Sequence, residues 1–169
     1  MADIDIAPTG ILIAESNSVF AGLVADMARG LGRRDIVEAY DARSARTELA
    51  RRPFAFLVLD DDLKDMDGVT FTRRLRTDAA SLNRSISIIM ISATPDAARI
   101  AQARDAGVTE FLRKPFAASH LETRLLSIEA KPRDFVETRA YIGPDRRRRT
   151  LDIAGDDRTD DKTDMPKED

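Results

Sequence analysis

The sequence predicts an α/β fold: a five-stranded parallel sheet, doubly wound, with helices on both faces. Three observations carry this. Between residues 11 and 130, short apolar runs alternate with stretches whose apolar residues recur at helical spacing, and the alternation repeats five times. Two of the runs, "FAFLVLD" (54–60) and "SISIIMIS" (85–92), are apolar nearly throughout, as in strands buried on both faces of a parallel sheet. The ends of these runs collect acids, a hydroxyl and a lysine, and sheets of this kind take ligands outside the carboxyl ends of their strands.

The elements follow in order. "ILIA" (11–14) is a buried-type strand. "SVFAGLVADMARGL" (18–31) is a helix with Phe20, Leu23, Val24, Met27 and Leu31 on one side. Asn17 or Ser18 caps it, and Gly30 and Gly32 end it. "IVEAY" (36–40) is the second strand and "ARSARTELARR" (42–52) the second helix. The third strand, 54–60, leads to a helix at "DGVTFTRRLRT" (67–77). The fourth strand, 85–92, leads to "PDAARIAQARDAG" (95–107), which starts with Pro in its first turn and stops at Gly. "VTEFL" (108–112) is the fifth strand, and "ASHLETRLLSIEA" (118–130) the last helix.

Composition narrows the function classes. With no cysteine in 169 residues, disulfides and thiolate metal sites are excluded. No apolar run approaches the roughly 20 residues of a membrane span. "MADIDIAPTG" lacks the basic-then-apolar pattern of a signal peptide. The expectation is a soluble, cytoplasmic protein. The net charge of −3 conceals a block structure. Residues 131–149 carry seven bases and three acids, for +4; residues 150–169 carry three bases and eight acids, for −5. The predicted organisation is a short N-terminal tail (1–9), the α/β domain (10–130), an arginine-rich segment (131–150) and an acidic, disordered tail (151–169).

The predicted strand ends bring Glu15-Ser16, Asp60-Asp61-Asp62, Ser92-Ala93 and Lys114-Pro115-Phe116 to one rim. Any one of these residues is ordinary, since an Asp after a strand is usually a cap or turn former. Together, "ILIAESN", "LVLDDDLKDMDG", "IIMISAT" and "EFLRKPF" resemble the CheY-like receiver domain of bacterial response regulators, with its flavodoxin-like sheet. The resemblance covers residues 10–130. It implies Asp60, eight residues before Gly68, as phosphoacceptor. It also implies Glu15, Asp60 and the carbonyl of Asp62 as Mg²⁺ ligands, Ser92 and Lys114 as phosphoryl contacts, and Phe111 as the switch aromatic. These residue types suit the chemistry: a carboxylate nucleophile needs cations to offset repulsion from an anionic phosphoryl group. Two positions depart from the pattern. Ser16 stands where the family usually has a second acid, so weak Mg²⁺ binding is expected, and Lys64 stands where proline is common. The sole histidine, His120, falls early in the last helix, away from this rim, and reads as a surface residue without a metal role.

The segment "KPRDFVETRAYIGPDRRRR" (131–149) is too short to bury a core of its own. Pro132 ends the last helix. "FVETRAYI" is suited to a short extended piece docking on the domain, and Gly143-Pro144-Asp145 is a turn signal. A charge run of this kind is most often a solvated tail. Nucleic-acid binding through phosphates is a second reading, opposed by the eight acids that follow. A small nucleotide is the third: Arg forks onto phosphate or the guanine O6/N7 edge, and Asp accepts from the guanine Watson–Crick edge. "YIGPDRRRR" is similar to the arginine-rich region of a group of CheY-like cyclic di-GMP effectors that dock on the flagellar motor. That resemblance implies a ligand site at Arg133, Arg139, Tyr141, Asp145, Arg146, Arg147, Arg148 and Arg149, mobile until the dinucleotide orders it. It also implies a protein partner such as the motor switch, engaged through the fourth helix, fifth strand and fifth helix. The reading is a signalling adaptor, not an enzyme, with no DNA-binding output domain. The alternative is a single-domain response regulator phosphorylated on Asp60 by a histidine kinase, with a passive tail.

Overall fold

A computed structural model describes residues 7–147. The elements are β1 (Ile11–Ala14), α1 (Ser18–Gly30), β2 (Ile36–Ala39), α2 (Ala42–Arg51), β3 (Phe56–Asp60), β4 (Asp62–Leu63), β5 (Met66–Asp67) and α3 (Gly68–Thr77). Then come β6 (Ser87–Ser92), α4 (Ala97–Ala106), β7 (Glu110–Arg113), α5 (Ala118–Ala130), β8 (Phe135–Glu137) and β9 (Ile142–Pro144). Five strands form one parallel sheet in the order β2-β1-β3-β6-β7. The chain builds outward from β1 in one direction and then in the other, which places a topological switch point between β1 and β3.

Every residue of β1 and β3 is buried, as two-sided packing requires. The period of two divides the strand side chains between two cores. Leu12, Leu57, Leu59, Ile88 and Met90 enter one core; Ile11, Ile13, Phe56, Val58, Ile89 and Ile91 enter the other. Side chains start the helices, at Asn17 as anticipated; Asp67 and Asp96 are caps rather than helix residues, so Pro95, expected in the first turn of α4, precedes that helix. Asn17 Oδ1 accepts from the Val19 and Phe20 amides, Asp67 from Thr70 and Asp96 from Arg99. Such caps contribute about 1 kcal/mol each. Gly107 closes α4 in the left-handed conformation, φ 104°.

Some boundaries differ from expectation for local reasons. The strand expected from residue 54 starts at Phe56, because the Phe54 amide donates to Asn83 Oδ1 instead of to a neighbouring strand. The strand expected from 108 starts at Glu110, because the Val108 amide closes the end of α4 on Ala103 O. The two-residue hairpin of β4 and β5 was not foreseen; it shapes the loop after Asp60.

The segment after α5 forms the extended piece docked on the domain that "FVETRAYI" suggests. It differs from the expectation of order only around a ligand, since residues 133–147 pack on the domain through contacts of their own. β8 and β9 pair antiparallel, with Val136 opposite Gly143. The hairpin seats where α3 and α4 end. A side chain on Gly143 would meet Gly107 Cα at 2.8 Å and the Tyr141 hydroxyl at 2.6 Å, so the close approach requires glycine. Phe135 lies against the guanidinium groups of Arg76 and Arg84 at 5.6 and 5.8 Å. Arg84 also pairs with Glu137 at 2.8 Å. Beneath the hairpin, Arg76 is only 1% exposed. Its Nε and Nη2 donate to Gly107 O, and its Nη1 to Arg84 O. Burial pushes its pKa down to about 10, so it remains a cation at neutral pH. Arg148, Arg149 and the acidic tail at 151–169 lie outside the described residues.

Candidate functional site

Three of the anticipated residues meet at the carboxyl end of the sheet. Glu15 follows β1, Asp60 ends β3 and Lys114 follows β7. Lys114 Nζ donates to Glu15 Oε2 at 2.6 Å and lies 3.1 Å from Asp60 Oδ1. Its ammonium also sits 4.8 Å from the centre of the Phe20 ring. Glu15 and Asp60 are both buried. Burial raises the Asp60 pKa to about 6; Lys114 opposes that rise and Glu15 adds to it. Gly68 follows from the same crowding: a Cβ there would meet Asp60 O at 2.6 Å.

The donor set suits a hard cation in kind, since Glu15 and Asp60 offer carboxylate oxygens. It is short of charge. Ser16, in place of an acid, uses its hydroxyl to accept from the Lys64 amide at 3.0 Å. The other Glu15 oxygen accepts from the Asn17 amide at 2.8 Å. Glu15 and Asp60 therefore offer Mg²⁺ two carboxylates in competition with Lys114, and among the described residues no third acid or histidine side chain joins them. Asp62, whose carbonyl the resemblance assigns to the ion, lies in β4, and its amide donates to Asp60 Oδ1 at 3.3 Å.

Ser92 ends β6 and is buried. Its hydroxyl donates to Asp61 Oδ2 at 3.0 Å. Asp61 in turn accepts from Arg99 of α4, whose Nε lies 2.6 Å from Oδ1. Sequence reasoning gave neither Asp61 nor Arg99 a role. The available signal was the run of three acids at 60–62, which needs more than one partner. Phe111 is half-buried beside Met90, its neighbour in the register, two residues before the carboxyl end of β7. His120 lies at the start of α5, where its Nδ1 accepts from the Ala117 amide, consistent with a surface role.

The described residues of the arginine-rich segment lie toward the other end of the strands, near the start of β7 and the end of α4. Arg133 pairs with Glu110 at 3.0 Å. Arg139 is exposed in the hairpin turn. Tyr141 is 8% exposed, and its hydroxyl donates to Pro144 O at 2.7 Å. Arg146 stacks on the Tyr141 ring at 4.2 Å and pairs with Asp105 of α4 at 2.8 Å. Asp145 Oδ1 accepts from the Arg147 amide at 2.9 Å, which closes the turn that presents both arginines.

An acidic pocket crossed by a lysine, at the switch point of the β2-β1-β3-β6-β7 sheet, defines a receiver-type signalling domain. Residues 11–126 match the response regulator receiver domain, and the chain belongs to that family. It is 30% identical over 115 residues to chemotaxis protein CheY-3 of Vibrio cholerae, covering 68% of this chain and 87% of that protein. It is 30% identical over 118 residues to chemotaxis protein CheY of Pseudomonas aeruginosa, covering 70% and 94%. Among solved structures, it is similar to the receiver domain of sensor histidine kinase PA1611 from P. aeruginosa, which carries a magnesium ion in its active site cleft. That similarity has a TM-score of 0.65 and 26% identity, covering 74% of this chain and all of that one. In the described residues, no helix is long and apolar enough to cross a membrane.

Proposed function

We propose that this receiver is a binding adaptor rather than an enzyme: it takes cyclic di-GMP at its arginine-rich hairpin and then engages a protein partner, in chemotaxis or motility as the CheY relatives' names suggest. The observation that carries the reading is the turn at 145–147. One guanidinium lies over a buried tyrosine ring, 4.2 Å from its centre, and a carboxylate stands two residues before a second arginine. Arginine in such a turn offers a planar fork for a guanine edge or a phosphate. Asp145 offers the acceptor that a guanine Watson–Crick edge needs. Arg139, Arg148 and Arg149 supply further charge for the phosphates. The hairpin abuts the end of α4, so a ligand there adjoins the face of α4, β7 and α5, the proposed docking face for a partner such as the flagellar motor switch.

The test is calorimetry of the full chain with cyclic di-GMP and cyclic di-AMP side by side, at two salt concentrations. Asp145→Ala relieves repulsion in a purely electrostatic site and tightens binding of both. In a base-reading site it leaves guanine donors unpaired and weakens cyclic di-GMP alone. Equal weakening of both would mean that Asp145 only closes the turn. Equal wild-type affinity for both ligands, a steep salt dependence and a gain on Asp145→Ala would reduce the segment to a general anion binder.

A second reading is favoured by the pocket itself. Asp60, buried beside Lys114 with Ser92 one strand away, has the makings of a phosphoacceptor for a histidine kinase. In it, an Asp60 carboxylate oxygen attacks the phosphorus of the kinase's phosphohistidine, the P–N bond breaks and the imidazole leaves, Lys114 and the Ser92 hydroxyl steady the phosphoryl oxygens, and Phe111 reports the change. Glu15, Asp60 and the Asp62 carbonyl would hold Mg²⁺, which supplies charge neutralisation for the incoming phosphoryl group.

A further inference from the structure

We propose that Asp105 is a built-in competitor for the anionic ligand at the hairpin, so that ligand binding exchanges the Arg146–Asp105 pair for a ligand–Arg146 pair and releases the end of α4. The proposal rests on the dinucleotide reading above. Two independent observations support it. First, the Arg146 guanidinium is already engaged on two sides: its carbon lies 4.2 Å from the centre of the Tyr141 ring, and its Nη1 donates to Asp105 Oδ1 at 2.8 Å. A phosphate or a guanine edge that takes Nη1 displaces Asp105 from it. Second, Asp105 is in the last turn of α4, where exposed carbonyls disfavour an acid. Arg146 offsets that disfavour. Once Arg146 turns to a ligand, Asp105 keeps only the longer contact with Arg104, 3.4 Å, at the wrong end of its helix.

The consequence reaches the other pole. α4 is held at both ends by arginine–aspartate pairs, Arg99 to Asp61 at its start and Asp105 to Arg146 at its finish. Asp61 also holds the Ser92 hydroxyl. The helix therefore joins the Asp60 pocket to the hairpin, and the ligand acts on the helix through Asp105.

The test uses the full chain with cyclic di-GMP, comparing wild type, Asp105→Asn and Glu137→Gln. Glu137→Gln breaks a different hairpin pair, that with Arg84, and frees no arginine of the segment. The Arg146–Asp105 pair is about half exposed, so removing it is worth little, and Asp105→Asn is expected to tighten binding about two- to five-fold. Glu137→Gln should leave affinity unchanged. Backbone amide shifts at 104–107 on ligand addition should be present in wild type and largely absent in Asp105→Asn. Unchanged or weaker binding by Asp105→Asn overturns the proposal while leaving the dinucleotide reading intact. An equal gain in both variants also overturns it, since mere loosening of the hairpin would then explain the effect. Absence of binding in all three proteins overturns the dinucleotide reading and this proposal together.

Discussion

Replacing Asp60 by asparagine should stabilise the protein near neutral pH and do nothing for it in acid. Asp60 is 7% exposed, and burial raises its pKa from 3.8 in the unfolded chain to about 6 in the fold. A carboxyl whose folded pKa is raised contributes full stability below about pH 4, and that stability is lost as pH rises through 6. A rise of this size corresponds to about 3 kcal/mol at most, since each tenfold change in proton affinity is worth about 1.4 kcal/mol. Lys114 does not lose its place in the variant, because Glu15 still holds it at 2.6 Å. The asparagine amide also keeps an oxygen for the Asp62 amide. Asp60→Asn should therefore gain about 1–3 kcal/mol at pH 7.5, or roughly 3–10 °C in Tm for a domain of this size. The measurement is urea unfolding of both proteins at pH 7.5 and at pH 4, with unchanged slopes as the control. Equal stability at pH 7.5, or a gain that persists undiminished at pH 4, would refute the argument that ionised Asp60 is held at a cost.

Ser16→Asp returns a carboxylate to the β1 loop and should tighten Mg²⁺ binding about tenfold or more, because one added unit charge near the ion is worth about 1–4 kcal/mol; amide shifts around Asp60 during Mg²⁺ titration check this. Gly143→Ala should cost about 1–3 kcal/mol and strip hydrogen-exchange protection from β8 and β9 while the five-stranded sheet stays protected, because its methyl overpacks against Gly107 and Tyr141. Arg76→Met should lower stability by about 2–4 kcal/mol in urea unfolding, since the carbonyls of Gly107 and Arg84 lose their donors. A gain there would mean that the buried cation costs more than its three hydrogen bonds return.

The five-fold alternation was legible because it is a property of period: strands buried on both faces must be apolar, and the helices between them must be one-sided. The pocket was legible for a related reason, since residues at the carboxyl ends of parallel strands converge whatever the details of packing. Arg99 escaped this logic, because its reach to Asp61 depends on the phase of α4 relative to β3. Arg76 escaped it more completely. An arginine in "TRRLRT" reads as a solvated helix face, and only the hairpin folded over it accounts for its burial. The hairpin was half legible. "FVETRAYI" followed by Gly-Pro-Asp reads as extended chain and a turn, but the glycine-to-glycine contact at 107 and 143 joins residues distant in sequence and has no local signature.

That contact changes what the arginine run requires. Consecutive arginines repel one another, and on a loose tail that repulsion would be relieved by extension into solvent. Here Tyr141, Gly143 and Pro144 fix the start of the run against α4. Arg146 is stacked and paired, while Arg147 stays exposed beyond the turn that Asp145 closes. The apolar half of the segment is therefore the foundation, and the basic half is the part presented outward. A ligand binding there need not supply the entropy of ordering the whole segment, only the displacement of one exposed acid. The anchor also explains how two inputs could share one helix. Asp60 lies at the carboxyl end of the central strand and the hairpin near the start of β7, yet Arg99 and Asp105 lie on the same ten-residue helix, α4. The two sites therefore share one element: α4 touches the first through Arg99 and Asp61 and the second through Asp105 and Arg146.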